Sequence, residues 1–268
     1  MNTRQQLLLD KENIINLYNN GLTPIEISRK LNYKYFQPIY NLLIKEKIYK
    51  PSEPSTRNKK RKYNVNEQYF DNIDTEEKAY ILGFIAADGY VSHNSLVISL
   101  NERDVDILEK IKKELQAEHP IKYFVKDNKY KHVLLKINSV YLTSILNKYD
   151  LFSNKSLTMG NIIKHIPDQF KIAFCRGYFD GDGNIFYGVK YSSGTKYLIT
   201  VIGTLEFLET SFKQLFETNC KISKYKSCNM HAFKISKKSQ VDLFLEILYS
   251  NASIYLNRKY KCAHVKLH

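Results

Sequence analysis

The sequence predicts an α+β protein of two pseudo-symmetric halves, each an αββαββα unit (helix, hairpin, helix, hairpin, helix), behind a small all-α N-terminal domain. Three observations predict this. A nine-residue pattern occurs twice, Ile81-Leu82-Gly83-Phe84-Ile85-Ala86-Ala87-Asp88-Gly89 and Cys175-Arg176-Gly177-Tyr178-Phe179-Asp180-Gly181-Asp182-Gly183, with glycine third, aspartate eighth and glycine ninth. The two third-letter glycines and the two eighth-letter aspartates are each 94 residues apart. Each copy therefore heads a segment of domain-half size rather than a short solenoid repeat. Finally, the apolar pattern after both copies runs in the same order. These boundaries divide the chain into an N-terminal domain at 1–50, a linker at 51–68, a first half at 69–160 and a second half at 161–268.

In the N-terminal domain, Ile14, Ile15, Leu17 and Tyr18 suit a first helix closed by Asn19-Asn20-Gly21. Thr23-Pro24-Ile25-Glu26 offers an N-cap, a proline in the first turn and a capping-box glutamate for a second helix running through Ile27 and Leu31. Phe36, Ile39, Tyr40, Leu43 and Ile44 then fall at helical spacing. Beside Pro51 and Pro54, Arg57-Asn58-Lys59-Lys60-Arg61-Lys62 is a cationic run that reads as an exposed, flexible basic linker able to lie along a phosphate backbone.

After the first motif, 90–93 and 95–100 read as strands, 104–115 as a helix, 121–126 and 130–137 as a second hairpin, and 140–149 as a helix. The counterparts in the second half are 185–191, 197–202, 205–217, 221–226, 231–236 and 240–249. Alternation puts Lys122, Phe124 and Lys126 on one face of their strand and Ile121, Tyr123 and Val125 on the other. One face is thus expected to pack on helices and the other to carry charge, so that four hairpins form a curved cationic surface.

The motif spacing has a physical reading of its own. The third letter lies five residues before the eighth, so a glycine at a helix crossing lets two backbones approach closely. The ninth-letter glycine is expected to end each helix in the left-handed conformation. A close crossing would bring Asp88 and Asp182 together, where like charges repel unless a cation lies between them. Carboxylates, water and phosphate oxygens are hard ligands that suit Mg²⁺ or Mn²⁺, and a metal so held can polarise a phosphodiester and activate water. Asp180, two residues from Asp182, points elsewhere on the helix and reads as a structural carboxylate.

With these residues in view, residues from Tyr69 to His268 resemble the LAGLIDADG homing endonucleases of the single-chain, two-motif kind. Ala86 at the sixth letter of the first copy and Arg176 at the second letter of the second depart from that pattern, but neither touches the eighth letter. The resemblance implies a site-specific endonuclease that cuts double-stranded DNA at a long asymmetric target, with Asp88 and Asp182 as catalytic and metal-ligating residues. It implies a monomer whose internal pseudo-two-fold axis passes between the acids. It also aligns Phe152-Ser153-Asn154-Lys155-Ser156 and Leu256-Asn257-Arg258-Lys259-Tyr260 with the place where the family keeps a lysine near the cleft floor. Lys155 and Lys259 are therefore expected to orient water or stabilise phosphate charge, with phosphate binding or a helix C-terminal charge as the alternative. In that family the strands read DNA bases in the major groove. Lys122, Lys126, Lys190, Lys224 and Lys226 are the candidates here.

The first fifty residues resemble the helix-turn-helix of resolvase-like and other bacterial regulators, with the third helix as the reading helix. That places Lys34, Tyr35, Gln37 and Asn41 at the groove, with Arg57, Lys59, Lys60, Arg61 and Lys62 along the backbone. A formal charge of +14 agrees with a polyanionic partner. Part of it reflects composition, since only seven of the 41 basic residues are arginine and the excess of Lys, Asn, Ile and Tyr suits an AT-rich genome.

No apolar run reaches the length of a membrane span, and the N-terminal stretch stops at Asp10, too short for a signal peptide. The expected location is intracellular, in the cytoplasm of a bacterial or phage-infected cell. Cys175, Cys220, Cys228 and Cys262 form no CxxC pair and are expected to be reduced, and the spacing of Cys220, Cys228 and His231 argues against zinc. Two other functions are open on the same fold: a non-cleaving DNA-binding regulator and an intron RNA maturase. An intein is disfavoured by the start at Met1 and the C-terminal Lys266-Leu267-His268 without a final Asn.

Overall fold

The computed structural model describes residues 3–49, 62–127, 129–152, 159–192, 194–216, 222–225 and 230–264. Four helices come first: α1 (Thr3–Leu9), α2 (Lys11–Asn19), α3 (Pro24–Lys30) and α4 (Gln37–Lys45). The first half follows as α5 (Glu76–Asp88), β1 (Gly89–Val91), β2 (Ser95–Asn101), α6 (Val105–Glu114), β3 (Ile121–Lys126), β4 (Tyr130–Asn138) and α7 (Val140–Lys148). The second contains α8 (Lys171–Asp182), β5 (Asn184–Tyr191), β6 (Gly194–Gly203), α9 (Leu205–Leu208), β7 (Ile222–Lys224), β8 (His231–Ile235), α10 (Lys238–Tyr249) and a further helix α11 (Asn257–His264). Each half forms a four-stranded antiparallel sheet, ordered β1-β2-β4-β3 and β5-β6-β8-β7. The expected order of elements is present in both halves.

The motif helices α5 and α8 are enclosed on every side: α5 is apolar throughout its buried length, and α8 carries only Arg176 and Asp180 as buried charges. Residues from Ala79 to Ala86 and from Ala173 to Asp180 are buried, within one core that takes residues from both halves. The reason for the third-letter glycines is steric and reciprocal. A Cβ on Gly83 would lie 2.0 Å from Phe174 O, and one on Gly177 would lie 1.9 Å from Tyr80 O. Each glycine thus receives the backbone of the other helix one turn before the partner glycine. The ninth-letter glycines correct one expectation. Gly89 and Gly183 have φ of −76° and −72°, extended backbone open to any residue. Space is what they need, because a Cβ on Gly183 would lie 2.1 Å from Phe179 Cδ2 and one on Gly89 2.7 Å from Ile85.

The N-terminal bundle has its own core of Ile14, Ile27, Tyr33, Ile39, Leu42 and Leu43. The expected capping box is present: Glu26 N–H donates to Thr23 Oγ1 at 3.3 Å and Thr23 N–H donates to Glu26 Oε2 at 2.8 Å. Helix α1 was not expected, because its apolar residues Leu7, Leu8 and Leu9 are consecutive and carry no helical period. Most of the segment read as linker, including Arg57, Lys59, Lys60 and Arg61, lies outside the described residues. Its end is fixed to the first half, where Asn66 N–H donates to Leu115 O and Glu118 N–H to Asn64 O, each at 2.9 Å.

Two further differences have physical causes. On β3, Tyr123 and Val125 were expected to pack on helices, yet they are 61% and 59% exposed. β3 is an edge strand whose residues beyond Ile121 are exposed on both faces, so Ile121 alone of the strand packs against the core. The helix expected over 205–217 is α-helical only to Leu208 and continues as a π-helix over Glu209–Lys213, which packs Ser211 and Phe212 inward.

Gly83→Val or Gly177→Val should destabilise the protein by roughly 3 kcal/mol or more, the upper range for overpacking a core, because backbone rather than a flexible side chain meets the new atoms. Urea unfolding of either variant checks this, and a midpoint equal to wild type would mean that the crossing is not close.

Candidate active site

Asp88 and Asp182 are the last residues of α5 and α8, so the helix crossing sets their positions. Their proximity is seen through Gly181, the residue before Asp182: a Cβ there would lie 2.4 Å from Ala87 Cβ and 3.1 Å from Asp88 Oδ2. Asp88 therefore lies over the C-terminal turn of the opposite motif helix. Asp182 is exposed and Asp88 half-buried, and both charges are felt at Tyr178 and Lys259. Among the described residues no cluster of three or more His, Cys, Asp and Glu exists that could hold a metal. A cation here would rest on the two carboxylates, with main-chain carbonyls, water and substrate oxygens completing the shell. That hard-oxygen donor set fits Mg²⁺ or Mn²⁺.

Beneath Asp182 the second motif builds a buried polar cluster. Asp180 is 1% exposed and accepts hydrogen bonds from Tyr80 Oη at 2.7 Å, Tyr249 Oη at 2.6 Å and Leu256 N–H at 2.7 Å. Burial pushes its carboxyl above the usual carboxylate range, opposed by the nearby Lys259 charge and these donors. It is enclosed by structure, in keeping with its expected structural role. Arg176 donates to Ile254 O at 3.0 Å, to Leu248 O at 2.9 Å and to the Glu76 carboxylate at the start of α5. An arginine at the second letter is therefore a brace that ties the α8 motif to the α10–α11 turn and to the opposite motif helix.

The basic segment at 256–260 is drawn inward rather than presented to solvent. Arg258 makes a two-pronged pair with Asp104, at 3.0 and 3.1 Å, which docks α11 on the first half. Lys110 of α6 adds hydrogen bonds to Tyr255 O at 2.8 Å and Asn257 Oδ1 at 3.0 Å. Lys259 is 3% exposed, and its ammonium donates to the carbonyls of Phe179, Gly181 and Gly183. Its three protons face the exposed end of α8, where a cation also complements the helix dipole. In this geometry Lys259 acts on the site through the backbone that carries Asp182. Lys155 lies outside the described residues.

The candidate DNA-contacting residues fall in three places. Lys122 and Lys126 on β3, Lys190 on β5 and Lys224 on β7 are all exposed, while Lys226 lies outside the described residues. Lys34, Tyr35 and Lys62 are exposed, with Lys34 over the Tyr35 ring. Gln37 and Asn41, one helical turn apart, share a hydrogen bond of 3.0 Å on the partly open side of α4. The strand pairing also brings two further lysines beside the acids. Tyr90, two residues after Asp88, pairs with Val97 and that with Lys136; Asn184, two after Asp182, pairs with Thr200 and that with Lys234. Lys136 and Lys234 are thus equivalent exposed residues in the cross-strand rows beside the acids.

The candidate zinc set is only partly visible, since Cys220 and Cys228 lie outside the described residues. Cys175 is a buried free thiol and Cys262 an exposed one. Among the described residues no helix is long and apolar enough to cross a membrane.

No protein-family model matches the chain. The chain is 32% identical to a DNA polymerase of Acanthamoeba polyphaga mimivirus over an alignment of 132 residues that covers 43% of this chain and 7% of that protein's length. Similar solved structures include the LAGLIDADG homing endonuclease I-LtrWI bound to target DNA, at 15% identity and TM-score 0.49, covering 73% of this chain and 90% of that one. The LAGLIDADG homing endonuclease I-GzeII in complex with its DNA target is also 15% identical, with TM-score 0.49 over 69% of this chain and 86% of that one. I-SmaMI bound to uncleaved DNA in the presence of calcium ions gives 15% identity and TM-score 0.47 over 69% and 88%.

Burial pulls the Lys259 ammonium down to about 8, although Asp180, Asp88 and Asp182 work against the shift. Below that pH the group is charged in both folded and unfolded chains and gives stability no slope. Between about 8 and the ordinary value of 10.5 the unfolded chain holds a proton that the folded chain has released, so stability rises with pH across this window. Lys259→Met should remove that rise, on the order of 3 kcal/mol across the window. Urea unfolding of both proteins through the window measures it, and identical slopes would show that Lys259 does not titrate there.

Proposed function

We propose that this chain is a site-specific double-strand DNA endonuclease of the LAGLIDADG homing kind, active inside the cell as a monomer and dependent on Mg²⁺ or Mn²⁺. The observation that carries this reading is the reciprocal glycine crossing, which sets one acid from each half over the same pair of helix ends. One carboxylate per half, two sheets with exposed lysines and a strongly basic chain are what hydrolysis of two phosphodiesters on opposite DNA strands requires. The division of the chain into an N-terminal bundle, a basic segment and two halves belongs to the same proposal.

When bound, a divalent cation supplies the positive charge that polarises the phosphate and lowers the pKa of an attacking water. Asp88 and Asp182 would hold that cation and would be relieved of their mutual repulsion by it. Water adds its oxygen to phosphorus as a phosphorus–oxygen ester bond breaks, and the departing sugar oxygen leaves as a hydroxyl. Lys259 keeps the C-terminal turn of α8 in the position that aims Asp182, and Lys155 is its proposed counterpart in the first half. Lys136 and Lys234, in the strand rows beside the acids, and Lys122, Lys126, Lys190 and Lys224 further out neutralise phosphates or meet base edges, and Lys226 is proposed for the same role from its sequence position.

Duplexes selected by the protein from a random library provide the substrate for a test. Asp88→Asn and Asp182→Asn should each lower cleavage in Mg²⁺ by ~100-fold or more, the scale of removing one preorganised charge at a reacting phosphate, with binding retained. Normal cutting by both single variants would place the active site elsewhere. Selected DNA that is bound but never nicked by wild type in Mg²⁺ or Mn²⁺ would favour the non-cleaving regulator.

A further inference from the structure

The two halves differ most in their first hairpins. In the second half β5 and β6 pair from Asn184↔Thr200 out to Tyr191↔Gly194, around a bulge at Gly188. In the first half β1 ends at Val91, which pairs with Leu96, and the chain turns back through Ser92-His93-Asn94. In the first half the last cross-strand bond is Ser92 N–H to Ser95 O at 2.9 Å, so the four outer pairs of the second half, from Tyr187↔Tyr197 to Tyr191↔Gly194, have no counterpart there. At strand geometry that is about 14 Å of missing hairpin, the rise of about four base pairs.

The N-terminal bundle packs at this shortened end. The Phe36 and Tyr40 rings meet the His93 imidazole edge-on, with centroids 5.2 and 4.5 Å away. His93 O accepts from Thr143 Oγ1 at 2.8 Å, and Asn147 Nδ2 of α7 donates to Tyr40 Oη at 2.7 Å. Tyr40 and Asn147 are nearly fully buried, and burial lowers the His93 pKa from its ordinary value. The helix making these contacts is α4, and the exposed Lys34 and Tyr35 directly precede Phe36. Gln37 and Asn41 follow on its partly open side. A nine-residue helix is ~14 Å long, close to the missing strand length.

We propose that the N-terminal bundle is a docked replacement for the outer first hairpin. It reads the DNA flank beyond the first half at a fixed helical phase, through Lys34, Tyr35, Gln37 and Asn41. This rests on the proposed DNA function, and differs from a domain swinging on a flexible tether. The distal β5–β6 hairpin, with Lys190, serves the opposite flank.

The test uses the full chain and duplexes it selects from a random library. Gln37→Ala/Asn41→Ala changes side chains on the open face of α4 and leaves the Tyr40 contact in place. This double variant should lose base preference on one flank only, weakening binding about tenfold for each two-pronged base contact removed. Lys190→Ala should weaken contacts on the other flank. Inserting about five base pairs, half a helical turn, between that first flank and the centre should abolish protection of the flank. Both variants mapping to one flank, unchanged preferences in the α4 variant, or flank protection that survives the insertion would each overturn the docked-reader proposal while leaving the nuclease reading intact. Failure of the full chain to select any duplex would instead remove the DNA function on which it stands.

Discussion

The close crossing of α5 and α8 is the constraint from which the rest of the structure follows. Two helices buried on every side cannot stand at a surface, so each half must cover one and lend it to the other. Gly83 and Gly177 let the backbones touch, and that contact sets the distance between the two helix ends. Because the eighth letter is the last helical residue in both copies, the same contact fixes Asp88 and Asp182 and starts β1 and β5 from adjacent points. A fold that buried these helices by any wider crossing would separate the acids and the sheets together.

Around that symmetric contact the support is unequal. In the second half a carboxylate, a guanidinium and an ammonium are taken out of water at Asp180, Arg176 and Lys259. Burial of charge is costly unless each group is well matched, and the matching here is close to complete. Asp180 has three donors, Arg176 two carbonyls and a carboxylate, and Lys259 three carbonyls. At the position equivalent to Asp180 the first half has Ala86. A buried network of this kind gives geometric definition more than net stability, since it tolerates few alternative packings. Its members join α8 to α10, to the turn before α11 and to the first turn of α5, so Asp182 is held by both halves at once.

Much of this architecture was legible because its causes are local. The motif copies, the order of elements and the Thr23–Glu26 capping box each depend on residues within a few positions of one another. Their periodicity survives in sequence. Arg176 shows the opposite case: its partners are 72 to 100 residues away, and only the fold explains why a large cation stands where the first copy has Leu82. Lys259 was found by its matched position, but its burial against three carbonyls could not be inferred from a basic segment that looks solvent-exposed. Lys136 and Lys234 were hidden by register. They are 98 residues apart rather than 94, so differing loop lengths between the halves displace them from alignment with the motifs.

The differences between the halves therefore carry as much information as the repeat. Pairing at the centre is alike, since Tyr90 and Asn184 begin equivalent rows that end on Lys136 and Lys234. Divergence grows with distance from the crossing, through Arg176 and Asp180 to the hairpin ends, where one half has a long β5–β6 ribbon and the other a short turn against a helical bundle. Elements close to the crossing are constrained by contact with their own copy, and a change there must be accommodated twice. Elements at the periphery meet no copy. A strand pair could be exchanged for helices at His93 without moving Gly83 or Asp88, which is how a duplicated core can keep a symmetric centre while its outer surfaces become different from each other.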